Sequence, residues 1–123
     1  MRIKNLINNC DILPESNIIS LKSNERFVIN PGEYKTITLP YTLFTDESEL
    51  IFFHFSFALA ERGLVCVETN IYENDAERIE LILQNIKIQS SLSQLEYLTG
   101  SNLRIDIKPN TVLGKLFCNK ITA

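Results

Sequence analysis

Ser56-Phe57-Ala58-Leu59-Ala60-Glu61-Arg62-Gly63-Leu64-Val65 leads on to Asn70-Ile71-Tyr72-Glu73-Asn74-Asp75-Ala76-Glu77. That segment is followed directly by Arg78-Ile79-Glu80-Leu81-Ile82-Leu83-Gln84-Asn85, and the reading of this stretch decides the fold. Leu64-Val65-Cys66-Val67 reads as a short strand. The last segment is ambiguous on its own. Asp75 to Leu81 has the composition of a capped helix start. Ile79, Leu81 and Leu83 also alternate against Arg78, Glu80 and Gln84, as the two faces of a strand do. Composition does not separate the two.

The flanking sequence favours strands. Ile51-Phe52-Phe53-His54-Phe55-Ser56-Phe57 is aromatic at nearly every position, which predicts a strand covered on both faces. Upstream, Phe27-Val28-Ile29 leads into Asn30-Pro31-Gly32, where Pro presets one turn dihedral and Gly accepts a positive φ. Tyr34-Lys35-Thr36-Ile37-Thr38-Leu39 is rich in β-branched residues and ends before Pro40. Thr45-Asp46-Glu47-Ser48-Glu49 is a polar loop. Downstream, Ser91-Leu92-Ser93-Gln94 is a capping box, Leu92, Leu95 and Leu98 share one helical face, and Gly100 is a stop. These predict one short helix at about 91–99. Leu103-Arg104-Ile105-Asp106-Ile107 alternates as a half-buried strand, and Pro109-Asn110 turns the chain into a last strand from Val112 to Cys118. Short apolar runs divided by turn signals are the pattern of an all-β domain.

At 123 residues the chain is expected to form one domain spanning 1–123. Its 45% apolar and 22% charged residues are ordinary globular composition. A net charge of −3 argues against binding duplex nucleic acid, which needs a basic face. Lys and Arg are scattered, so no polybasic segment points to a membrane. The first nine residues lack the apolar core of a signal peptide, and Leu50 to Ala60 is about half the length a spanning helix requires. Cys10, Cys66 and Cys118 are odd in number and far apart, which fits reduced thiols in a cytoplasmic compartment. With one histidine and no Cys/His cluster, neither a metal site nor a cofactor is expected.

The opening stretch resembles the phosphate motif of trimeric dUTPases, Arg-Ser-Gly-Leu-Ala-x-x-x-Gly-Ile/Val. Asn70 to Glu77 stands where that family has Val-Ile-Asp-x-x-Tyr-x-Gly, and Arg78 to Asn85 matches its next strand, which characteristically ends in Asn. Phe27-Val28-Ile29-Asn30-Pro31-Gly32-Glu33 resembles the family's Tyr-x-Ile-Pro-Pro-Gly turn. Lys108-Pro109-Asn110-Thr111-Val112-Leu113-Gly114-Lys115-Leu116 resembles its Lys-x-Gly-Asp-Arg-Ile-Ala/Gly-Gln-Leu. Each motif is short, and their shared order and near-correct spacing carry the resemblance. It covers roughly residues 18 to 121 apart from an insert near 86 to 102, and it resolves residues 78–85 as a strand. The implied fold is an all-β dUTPase-like jelly roll, a β-sandwich forming a homotrimer with pockets at subunit junctions.

The resemblance breaks at the chemistry. The family's water-orienting aspartate corresponds to Tyr72, a phenol that is neutral near pH 7 and a poor general base. The tyrosine beneath the deoxyribose corresponds to Asp75. The phosphate-reading arginine and the glycine of the second motif become Phe55 and Phe57, while Ser56 is kept. A glutamine becomes Lys115, and no Gly-rich arm appears before Ala123. No catalytic residue is therefore expected. Should a small anionic ligand bind at a junction, Ser56, Arg62, Tyr72, Asn74 and Lys115 would line its pocket.

Each of these residues also has a plain structural reading. Ser56 can be a strand hydroxyl bonded to backbone, His54 a packed ring, Lys115 a solvated charge and Tyr72 a core or interface aromatic. Three functions follow. The first is an interaction module, virus- or phage-encoded, whose inserted helix meets a protein partner through Leu92, Leu95 and Leu98. The second is a nucleotide binder that sequesters or senses a small, even cyclic signalling, nucleotide. The third, a residual diphosphatase, lacks its carboxylate.

Overall fold

A computed structural model of the chain describes residues 2–7, 10–12, 18–45, 48–71, 79–87 and 103–120. These residues form the strands β1 (Arg2–Asn5), β2 (Cys10–Ile12), β3 (Ile18–Lys22), β4 (Phe27–Ile29), β5 (Tyr34–Leu39), β6 (Tyr41–Phe44) and β7 (Glu49–Phe55). One helix, α1 (Phe57–Glu61), precedes β8 (Leu64–Ile71), β9 (Ile79–Asn85), β10 (Ile105–Ile107) and β11 (Val112–Lys120). All described pairings are antiparallel, in four groups ordered β2-β1-β6, β10-β4, β3-β11-β7 and β5-β9-β8. Their inward faces meet in one apolar cluster that includes Ile3, Leu21, Ile29, Leu39, Leu81 and Leu116. The fold is an all-β sandwich.

From Ile79 to Asn85 the ambiguous segment is a strand. Ile79, Leu81, Leu83 and Asn85 point inward and the residues between them are half-buried, because β9 is the middle strand between β5 and β8. Ladder bonds on both edges and an inward aliphatic row outweigh the local helix-start signal. Asp75 lies in 72–78, outside the described residues.

Both anticipated turns form. Asn30 accepts from the Glu33 amide at 3.0 Å, and Gly32 takes φ +77°. Lys108 accepts from Thr111 N at 3.3 Å, with Asn110 at φ 66°. In each, Pro sits at the second turn position and a residue tolerant of positive φ at the third, as a type II turn demands.

Two expectations need correction. The aromatic strand stops at Phe55, with Ser56 and Phe57 starting α1 instead. That strand is also not covered on both faces. Ile51, Phe53 and Phe55 pack on the core, whereas Leu50 is 48% and Phe52 45% exposed, and His54 is exposed as well. The cause is layering: only the inner face of the β3-β11-β7 sheet packs on the core, so within one chain the outer face of β7 stays open. The described fold also has a helix that was not anticipated, α1, separate from the one expected at 91–99. That segment, with Leu92, Leu95 and Leu98, lies outside the described residues. The short strands β1, β2, β3 and β6 were not anticipated.

No described helix is long and apolar enough to cross a membrane. Cys66 and Cys118 are free thiols, and Cys118 Sγ donates to Glu49 Oε2 at 2.7 Å. Burial, reinforced by that carboxylate, raises the Cys118 pKa above the usual thiol value, so it stays protonated and inert.

Candidate functional site

The segment Phe55-Ser56-Phe57 marks the junction of β7 and α1. Ser56 is the helix N-cap, with φ −60° and ψ 120°. Its hydroxyl accepts from Leu59 N at 3.3 Å, and its carbonyl accepts from Ala60 N at 3.1 Å. Ala58, Leu59, Ala60 and Glu61 are strong helix formers, and Gly63, at φ +95°, closes the turn with its N–H on Ala60 O at 3.0 Å. The cap, the alanines and the glycine were all legible, but the aromatic run obscured them. Ser56 is thus a backbone-bonded hydroxyl, as its plain reading held, but on a helix cap rather than in a strand.

β11 brings the second half of the site alongside. It pairs with β7 so that Lys115 faces His54 and Gly114 faces Phe55, while Ser56 N donates to Leu113 O at 2.9 Å. Gly114 permits this approach. A Cβ there would lie 2.5 Å from His54 O and 2.5 Å from the Phe53 ring, closer than any side chain tolerates. β11 also shifts register against β3 between Val112 and Gly114, bending the strand beside the site.

The result is an open cavity of about 220 Å³ lined by His54, Phe55, Ser56, Phe57, Val112, Gly114, Lys115 and Phe117. Its walls are aromatic. Phe57 is 76% exposed at the rim, and the His54 ring meets Phe117 edge-on with centroids 4.8 Å apart. Lys115 is exposed, and no carboxylate lines the cavity among the described residues. Chemically, it offers one cation, one imidazole, one hydroxyl and apolar surface.

Of the five candidate ligand residues, Ser56 and Lys115 therefore share this cavity. Arg62 does not line it: at the C-cap of α1 its Nη2 donates to Asp106 O at 3.3 Å. Tyr72 and Asn74 lie outside the described residues. His54, Val112 and Phe117 were not foreseen as neighbours, since only strand register brings them together.

No family model matches the chain, and no curated protein matches it by sequence. Solved structures do. A dUTPase from phage phi11 of S. aureus superposes with TM-score 0.71 at 17% identity, over 98% of this chain and 90% of that one. The Staphylococcus bacteriophage 80alpha dUTPase gives TM-score 0.71 at 15% identity, over 98% and 82%. EIAV dUTPase gives 0.64 at 15%, over 89% and 79%. The fold is that of the dUTPases. Within the dUTPase fold, the β7–α1 junction holds the segment whose sequence resembles the phosphate motif, with the cavity beside it.

Proposed function

We propose that this chain is a non-catalytic homotrimer with the dUTPase fold that acts as a binding module for a protein partner. The observation that carries the reading is the cavity at Ser56. Two phenylalanines stand where the resemblance would put an arginine and a glycine, the serine hydroxyl caps its own helix, and no carboxylate lines the walls among the described residues. Function resides in a site rather than a scaffold, so the fold can outlast the chemistry. The 80alpha dUTPases are described as controlling transfer of virulence genes by a proto-oncogenic G protein-like mechanism, which supports a regulatory role on this scaffold. Viral and phage proteins among the structures sharing the fold support a viral or phage source, and with it a host cytoplasmic location.

The homotrimer is supported by the open face of β7. Leu50 and Phe52 leave apolar surface on an edge strand, which a threefold partner would cover. Light scattering is expected to give about three times the chain mass of 14.1 kDa. Burying one phenylalanine contributes about 1.5–3 kcal/mol per site, so Phe52→Glu is expected to lower the mass toward a single chain. A monomeric wild-type protein would remove the trimer from this reading.

A second reading, a nucleotide binder, is favoured by one observation: Ser56 and Lys115, far apart in sequence, share a cavity. A lysine acts as a point charge on phosphate without the planar fork of an arginine. Lys115→Ala is expected to weaken nucleotide binding by about 1–3 kcal/mol and leave the trimer mass unchanged. Mass spectrometry of the denatured protein looks for a carried ligand. Calorimetry silent toward mono-, tri- and cyclic nucleotides would leave the protein-binding role alone.

A further inference from the structure

The β4–β10 ribbon has a charged outer face remote in composition from the Ser56 cavity. Along β10, Leu103, Ile105 and Ile107 are buried, so Arg104, Asp106 and Lys108 lie on the opposite face by strand alternation. In β4, Phe27 and Ile29 point inward, and Asp106 pairs with half-buried Val28. Arg26, just before β4, clamps the Asp106 carboxylate through Nε to Oδ1 at 2.9 Å and Nη2 to Oδ2 at 2.5 Å. Arg62 arrives from the end of α1 and donates to the Asp106 carbonyl. One aspartate thus holds two guanidinium groups in place. The Arg26 fork keeps the Asp106 carboxyl below the usual carboxylate range, and Lys108 lies near enough to act in the same direction. Arg104 and Lys108 have no ion-pair partner among the described residues.

We propose that this face, carrying Arg26, Arg62, Arg104 and Lys108 around Asp106, is a docking surface for a short acidic segment of a protein partner. Four cations against one carboxylate stand on a chain whose net charge is −3, so the surrounding surface is more negative than the chain as a whole. That contrast selects for length. The three-residue strands present only about 10 Å of ribbon, so a few carboxylates fit on it, whereas a long polyanion would run onto repelling surface. Arg26 spends its parallel Nε and Nη2 donors on Asp106, so it and Arg62, already anchored, add charge and their remaining N–H donors at little cost in freedom, while Arg104 and Lys108 meet the partner's carboxylates directly. The assignment rests on the binding-module reading. Its experiment measures neither oligomer mass nor turnover, so the two can fail separately.

The test is fluorescence anisotropy with labelled hexaglutamate on the full chain. Wild-type protein is expected to bind, and Arg104→Glu/Lys108→Glu to bind at least about tenfold more weakly with an unchanged thermal midpoint. Wild-type binding should vanish once salt cuts the Debye length to about 3 Å. If the charge reversal does not fold, Arg104→Gln/Lys108→Gln carries the same expectation of weaker binding. Equal affinity of wild type and folded variant, or no binding by the wild type, would overturn the proposal. Binding of hexathymidylate as tight as that of hexaglutamate would overturn it in favour of a nucleic-acid partner.

Discussion

With dUTP or dCTP and magnesium, the purified protein is expected to release no pyrophosphate above the uncatalysed background. Hydrolysis of a triphosphate chain needs a group to orient the attacking water and fixed donors for the charge that develops on phosphate. The Ser56 cavity supplies one lysine, one imidazole packed edge-on against Phe117, and one hydroxyl that already accepts from Leu59 N. Phe55 and Phe57 contribute neither charge nor close backbone access, and the resemblance aligns Tyr72, a neutral phenol, with the water-orienting aspartate. Losing a single such group typically lowers the rate by ~10²–10⁴, and here several are replaced together. A phosphate-release assay over hours would detect even a strongly impaired enzyme. Turnover of about one per second, the low end of ordinary enzymes, would overturn the non-catalytic reading and imply carboxylates recruited from elsewhere in the assembly.

How far the sequence could be read depended on how much local signal each element carries. The turns at Asn30-Pro31-Gly32 and Lys108-Pro109-Asn110 were legible because their backbone geometry belongs to individual residues. β9 was not legible from composition, since Asp75 to Leu81 satisfies helix and strand patterns alike; resemblance decided it, and the two neighbouring strands explain why. β1 and β6 escaped notice because four residues are too short for a period of two to stand out. α1 was missed for the opposite reason, as an aromatic strand pattern running into Phe57 hid a serine cap. The site was half legible. Ser56 and Lys115 meet because β11 lies against β7, a long-range register that no local pattern encodes. Within one chain Arg62 reaches Asp106 from the helical turn at the end of α1, a long-range contact that no local pattern encodes.

Asn85→Leu is expected to destabilise the fold by about 3–5 kcal/mol, the largest effect of any single substitution considered for stability. Asn85 is fully buried, and its side chain is a three-way joint. Nδ2 donates to Ile29 O at 2.9 Å and to Leu103 O at 2.6 Å, while Oδ1 accepts from Lys87 N at 3.0 Å. The amide thereby ties the end of β9 to the end of β4 and to the residue leading into β10. It does so where the chain leaves for the insert and where it returns. The Asn85 backbone also joins the Asn30–Glu33 turn, donating to Glu33 O at 3.2 Å and accepting from Gly32 N at 2.8 Å. Leucine has nearly the same volume, so the loss would come from polar groups rather than a cavity. Two buried carbonyls would lose their donor, each costing about 1–3 kcal/mol, and the part-buried Lys87 N–H would lose its acceptor. Asn85→Asp keeps the shape and the acceptor for Lys87 N but turns a donor toward-carbonyl contact into oxygen facing oxygen, so it should be at least as damaging at neutral pH. Urea unfolding followed by circular dichroism measures both variants. A loss below about 1 kcal/mol would mean that the ribbon is held without this amide, and that the asparagine ending β9 serves something other than the joint.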